Sequence, residues 1–360
     1  MTDAGKLTLG VVWDGDAVST TDIRSTRPMA ALMLKGKEPG QVLHIVPLLF
    51  SVCGRAQGAA AGAALQAAQQ GVSAVSATVQ RAIVCESIQE HLWRVLLDWP
   101  KLLGLPRQEE RFAAWYAMLR RIAAGELDMA AFRQEFERDY LGMPVAAWRG
   151  MASYSELQAW WRKADRPVAQ LLGQLAGLGR GAHAASESRL LPAWTAAEAS
   201  QVCAGRWDAD FSARPDWMGK AAETGAWAYH ADNPMLRDVW QQSGSKPLTR
   251  LLARMLDVVE MASGNALPRL DAASPATGQG IAVVRTARGL LMHHVHVAAE
   301  RVTEYEIVAP TEWNFHPAGA FAQDMRGMME QDRGRLQRSA QIAALSLDPC
   351  VAYDIEVRHA

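Results

Sequence analysis

Between residues 59 and 263 the chain carries helical signals almost throughout, and the strand-like stretches lie outside that body, toward the two ends. That layout predicts an α+β fold, mostly helical, with small antiparallel β-hairpins contributed from both chain ends. Near the start, Leu7 to Trp13 and Ala17 to Thr21 flank Asp14-Gly15-Asp16, a strong turn signal, so residues 7–18 read as a hairpin. A short helical segment follows over residues 29–35, and a Gly36–Gly40 turn leads into a second that runs up to Cys53. Helical patterns then cover residues 59–70, 81–99, 109–124, 129–140, 155–163 and 168–178, with Pro100 and Gly104-Leu105-Pro106 as the clearest stop. Residues 179–188 read as a loop whose His183 and Glu187 are solvated, and residues 190–229 are irregular.

Helices return at residues 234–241 and 247–262, and the Pro/Gly/Ser-rich residues 264–280 read as a loop. Residues 281–284, 289–297 and 303–308 read as three strands of a small antiparallel sheet, with the N-terminal hairpin as its expected packing partner. A last helix is expected over residues 319–345, broken near Gly334. With no internal repeat, the chain reads as one domain, 1–360. Its blocks are an N-terminal hairpin and first cysteine block (1–58), a helical body (59–263), a small β region (280–312), and a C-terminal helix with the last cysteine block (318–360).

Hydrophobic residues at 49% and charged residues at 21% fit a soluble globular protein, and a net charge of -1 gives no reason to expect nucleic acid or an anionic membrane as partner. Cys53, Cys85, Cys203 and Cys350 are widely separated, with no CxxC, which argues against a disulfide framework or zinc site and favours a reducing compartment. Residues 1–6 carry no charged-then-apolar leader and no apolar run approaches a bilayer span, so the expected location is cytoplasmic. The thirteen tryptophans are spread along the chain and read mostly as core or interface anchors.

Asp348-Pro349-Cys350 reads as a helix start, and Cys53-Gly54-Arg55 opens the alanine-rich helical run; backbone N–H groups at such places favour a thiolate. Two readings stand: the two cysteines face each other across one site, or both are ordinary buried cysteines. Arg288, at a turn between strands, and Thr311 after Pro310, at a strand exit, form a plausible anion-binding pair. His293, His294 and His296 lie on a strand, the last two on one face; no ligand set completes them, and they read as a half-exposed strand face. Glu86 and His91 read as structural hydrogen-bonding residues. No GxxxxGK, GxGxxG after a strand, GxSxG or HExxH occurs, which leaves nucleotide-dependent and hydrolase chemistry without support.

These pieces fall in a known order. Residues 27–54 ending at Cys53-Gly54, then Ile88-Gln89-Glu90-His91-Leu92, Glu223-Thr224-Gly225, Ala287-Arg288-Gly289, residues 310–315 (PTEWNF) and residues 346–350 (SLDPC) resemble the successive motifs of the nickel–iron hydrogenase large-subunit family. In that family four thiolates from two CxxC pairs hold nickel, and two of them bridge to iron. Here the first cysteine of each pair is kept, as Cys53 and Cys350, whereas the second falls on Ala56 and Tyr353. The histidine expected after the last cysteine falls on Glu356, and the glutamate of the N-terminal motif on Ala30. The cleavable tail of an active-subunit precursor is absent after Arg358-His359-Ala360.

With both bridging sulfurs gone, the chain resembles the HupK/HoxV type of hydrogenase accessory protein, a degenerate large-subunit relative. The resemblance implies a non-enzymatic maturation scaffold that transiently holds an iron–dicyano–carbonyl unit, with no nickel. Cys53 and Cys350 would bind the iron, and Arg288, Pro310 and Thr311 would line the cyanides. It implies a HypC-type chaperone or the hydrogenase large subunit as partner. The alternatives are a cofactor-free interaction partner of the assembly machinery and an active hydrogenase with an altered metal site.

Overall fold

The computed structural model describes residues 5–26, 30–50, 53–71, 75–163, 166–178, 188–266 and 268–360. Arg27, Pro28 and Met29 of the first motif, Ser51 and Val52 before Cys53, and the loop residues His183 and Glu187 lie outside the described residues.

The N-terminal hairpin forms as the turn signal predicts, with β1 (Leu7–Trp13) antiparallel to β2 (Val18–Ser25). Asp14 accepts at one side-chain oxygen from the backbone N–H groups of Asp16 and Ala17, at 2.9 and 2.8 Å, so the turn closes on its own aspartate. The second sheet contains β3 (Leu270–Ala273), β4 (Gln279–Thr286), β5 (Gly289–Ala298) and β6 (Arg301–Val308), in that order and antiparallel throughout. The stretch expected to be loop over residues 264–280 therefore contributes an edge strand and the start of β4; Asp271 and the small residues around it mask the strand signal. A final strand, β7 (Tyr353–His359), pairs parallel with β1, Val11 opposite Val357, and joins the two ends of the chain in one sheet.

The four-stranded sheet does not pack on the N-terminal hairpin, contrary to expectation. Its two faces are covered by other elements, which is why its central strands β4 and β5 are buried along most of their length. One face, with Ala282, Val284, Leu291, Val295 and Tyr305, lies under α2 (Gly54–Gln70) and α1 (Pro39–Leu49). The other, with Ile281, Val283, Leu290 and Met292, meets Trp194, Phe211 and Trp313. The alanines of α2 are the means of close approach: Ala60, Ala64 and Ala68 are buried, and a Cβ at Gly280 would fall inside the Ala64 carbonyl oxygen and 2.7 Å from the Ala68 nitrogen. The hairpin sheet instead packs its Leu7, Leu9 and Val11 on Phe321, Leu336 and Ala340 of the C-terminal region. There the helix expected with a break near Gly334 is two helices, Ala320–Met325 and Arg333–Leu347, the break falling just ahead of Gly334.

The helical body is held by α3 (Ala77–Trp93) with the helices Glu109–Ala124, Met129–Phe136, Pro167–Gly177 and Lys246–Ala262 around one aromatic-rich core. Trp99, Trp115, Trp148, Trp160 and Trp161 are buried there, as expected of anchors. The Lys246–Ala262 helix is buried on almost every side, and Lys246, Arg250, Arg254 and Asp257 form a charged stripe within it at helical spacing.

Candidate functional site

Cys53 stands at the residue just before α2, the helix start its sequence setting predicts. Glu86 of α3 completes this helix start by accepting from the backbone N–H groups of Arg55 (3.0 Å) and Ala56 (2.9 Å). Burial raises the Glu86 carboxyl above its ordinary value against the pull of those two N–H groups. The fellow motif residue His91 is fully buried, and its Nε2 meets Asp257 at 2.9 Å. Both have the structural hydrogen-bonding roles expected of them.

Cys350 is not on a helix. The Arg333–Leu347 helix ends at Asp348, which adopts a left-handed conformation with φ of 56°, and the chain turns through Pro349 and Cys350 into β7. The Asp-Pro pair is thus a helix exit, because the side chain of Asp348 is drawn inward by arginines instead of capping a new helix. Its Oδ1 accepts from Arg94 Nε at 2.6 Å and Arg288 Nε at 3.3 Å, and its Oδ2 from Arg254 Nη1 at 3.0 Å. Burial opposes the charge on Asp348, but Arg288, Arg94 and Arg254 outweigh it and hold the carboxyl well below the usual carboxylate range.

Arg288 also donates from Nη2 to Glu90 at 2.7 Å. Fixed between Asp348 and Glu90, its guanidinium lies within electrostatic reach of both Cys53 and Cys350. Contrary to the thiolate expected at the start of α2, burial raises the Cys53 thiol to about 12, with the neighbouring Cys350 adding to the rise and Arg288 opposing it. Thr311 completes the set. Its hydroxyl oxygen accepts from the Cys350 backbone N–H at 3.2 Å and lies 3.1 Å from the Cys350 sulfur, while Pro310 occupies the first turn of the buried Pro310–Asn314 helix. Cys53, Cys350, Arg288 and Thr311, far apart in sequence, therefore come together. Cys85 and Cys203 do not: each is fully buried in a hydrophobic core.

The second positions of the two cysteine pairs are filled by groups that cannot replace a thiolate. Ala56 is buried in the first turn of α2, and Tyr353 opens β7. Glu356 is exposed on β7 and pairs with Arg24, away from the site. The three histidines of β5 alternate as expected, but only His296 is half-exposed. His293 is fully buried on the α2 side, and His294 is buried on the other, stacked on Trp207 with centroids 4.8 Å apart.

What the sequence reading missed is the charged stripe of the Lys246–Ala262 helix, although charges every third or fourth residue in an apolar helix were visible in it. Arg250 forms a bidentate pair with Glu223 (2.8 Å twice) and reaches Asp324 and Ser346. Arg254 holds Asp348, and Asp257 gathers His91, His230 and Arg269. The motifs are laced together at the same depth. Thr224 Oγ1 accepts from the Leu290 N–H at 2.9 Å, Asn314 bonds Thr224 in both directions, and Gly289 (φ 141°) leaves room for the Thr224 side chain.

Residues 238–353 match the family described as nickel-dependent hydrogenase. The hydrogenase expression/formation protein HoxV of Cupriavidus necator is 34% identical over 93% of this chain and 92% of its own length. The chain belongs to the HoxV/HupK family of hydrogenase expression/formation proteins. HupK of Azotobacter vinelandii is 31% identical over 99% of this chain and 100% of its own. In fold, this family member resembles the nickel–iron–selenium hydrogenase of D. vulgaris Hildenborough (TM-score 0.58, 14% identity, 94% of each chain). It resembles an NAD+-reducing nickel–iron hydrogenase equally well (TM-score 0.58, 17% identity, 94% of this chain and 93% of the other). The fold is that of the hydrogenase large subunit, α+β and mostly helical. Among the described residues no helix is long and apolar enough to cross a membrane.

Proposed function

We propose that this chain is a non-catalytic scaffold in nickel–iron hydrogenase maturation that transiently holds the iron–dicyano–carbonyl unit for transfer to the large subunit. The observation that carries the reading is the meeting of two thiols with a buried, rigidly held guanidinium. Cys53 and Cys350 supply two soft ligands, suited to a soft iron fragment and too few for a nickel–iron pair. Arg288 carries five N–H groups, of which Glu90 and Asp348 engage Nη2 and Nε, so donors remain for cyanide nitrogen. The Thr311 hydroxyl rotates about its C–O bond, and it can serve either the Cys350 sulfur or a second cyanide.

The raised Cys53 thiol fits a transient holder. The sulfur keeps its proton until the iron unit arrives and releases it on binding. A HypC-type chaperone is the proposed source of the unit, and the compartment is the cytoplasm. The names of the relatives, expression/formation proteins, support an accessory role.

The test is replacement of each cysteine. Cys53→Ser and Cys350→Ser should each abolish retention of iron, read by metal analysis on protein purified without oxygen, while circular dichroism stays unchanged. Full iron occupancy in the double variant would contradict the site. Hydrogen-dependent dye reduction with stoichiometric nickel would contradict the non-catalytic role.

A further inference from the structure

One buried polar chain runs from Cys53 away from the Arg288 and Thr311 side of the site. Gln57 stands one helical turn beyond Cys53 on α2 and directs its Nε2 at the Cys53 sulfur, 3.8 Å away. Its Oε1 lies 2.8 Å from His293 Nε2, and His293 Nδ1 lies 2.8 Å from the Tyr305 hydroxyl. Gln57 is 1% exposed, and His293 and Tyr305 are not exposed at all. From this chain we infer that Gln57 is a fixed N–H···S donor to Cys53, and that His293 and Tyr305 are positioning residues that set the orientation of its amide.

The hydrogens of the chain fix the direction of each bond. Burial drives the His293 imidazole down to about 3, so it is neutral and carries one N–H. An amide oxygen only accepts and an amide nitrogen only donates. With the Gln57 nitrogen toward sulfur, its oxygen must accept from His293 Nε2–H. His293 Nδ1 is then bare and must accept from Tyr305 O–H, so every hydrogen from the amide to the phenol has an acceptor, and the Cys53 sulfur accepts through its lone pairs whether or not it still carries its own hydrogen. Turning the amide over reverses each step. His293 would carry Nδ1–H and donate to Tyr305, whose own hydroxyl hydrogen would lose that acceptor, and the Gln57 oxygen would face the sulfur. A metal-bound thiolate, rich in electrons, repels a carbonyl oxygen and attracts an N–H. Outer donors of this kind orient ligands and tune the metal they hold. The histidine that looked like a half-exposed strand residue thereby acquires a role at a distance from the sulfur.

The inference concerns the geometry of the protein itself and rests on the proposed function only for its consequence at iron, so two measurements separate them. In the protein purified without iron, nitrogen NMR of ring-labelled histidine should show His293 protonated at Nε2. An Nδ1-protonated His293 would overturn the inference whatever the fate of the iron reading. In protein co-expressed with the hydrogenase assembly system, Gln57→Leu should lower the carbonyl stretching frequency of bound iron, because the sulfur donates more strongly once its hydrogen bond is gone. Retained iron should fall by roughly tenfold, and Tyr305→Phe should shift the band in the same direction by less. Iron lost without a band shift, or a band unmoved in both variants, would reduce these residues to packing. Absence of bands in the unmodified protein would count against the iron site and leave the tautomer to judge the Gln57 arrangement.

Discussion

Asp348 is the residue on which the site depends most. One carboxylate faces Arg94, Arg254 and Arg288 in a position with 1% exposure. Removing one partner of a buried charge set leaves the others uncompensated, at a cost of about 3–5 kcal/mol. Asp348→Ala should therefore lower the unfolding free energy in urea by about that amount, and it should release Arg288 from its place beside the two thiols. A loss below about 1 kcal/mol would mean that water reaches the arginines and that the cluster is a surface one. In the sequence, Arg288, Thr311 and the two cysteines could be picked out through their motif settings. Arg94 and Arg254 could not, because a single arginine in a helix carries no mark of what it will meet. The helix start read at Cys350 failed for the same reason: the local pattern of Asp348 and Pro349 was overruled by contacts from residues far away in the chain.

Among the elements, α2 and β4 set the spacing on which Cys53 depends. Their contact is made by alanines against Gly280, where a Cβ would penetrate the helix backbone and not merely a flexible side chain. Gly280→Ala should push the helix off the sheet and cost about 1–3 kcal/mol or more, measured as a lower thermal midpoint. An unchanged midpoint would show that the helix can slide without loss. The helices of the body were readable from periodicity, and Glu109–Ala124 emerges with the expected bounds. Strands β3 and β7 were not, because each carries charged residues and is completed only by a partner strand. The packing of the second sheet on α2 was hidden too, since an alanine-rich helix gives the same periodic signal whichever surface it lies on.

On the scale of the molecule, buried charge is organised around the Lys246–Ala262 helix. Asp324 illustrates the consequence for pH. Burial opposes its charge, yet Arg250 and Lys246 hold its carboxyl below the ordinary value, and Asp257 is lowered likewise by Arg269 and the two histidines despite its burial. Carboxylates depressed in the folded state contribute stability that is present above the ordinary carboxylate range and lost as pH falls through and below it. The urea midpoint should be level near neutrality and decline progressively below about pH 5. A midpoint that held steady into strong acid would contradict the ionised network.

The buried charge persists in a chain lacking two of the four thiols that its resemblance to the large subunit implies. The lacing brings Cys53 and Cys350 together beside Arg288 and Thr311, the arrangement on which the proposed iron site rests. The most direct measurement is infrared spectroscopy on protein purified without oxygen from cells expressing the hydrogenase assembly system, with metal analysis of the same sample. The account predicts cyanide and carbonyl stretching bands with iron and without nickel. Iron-free protein lacking those bands would contradict it and leave the chain as a cofactor-free partner of the assembly machinery.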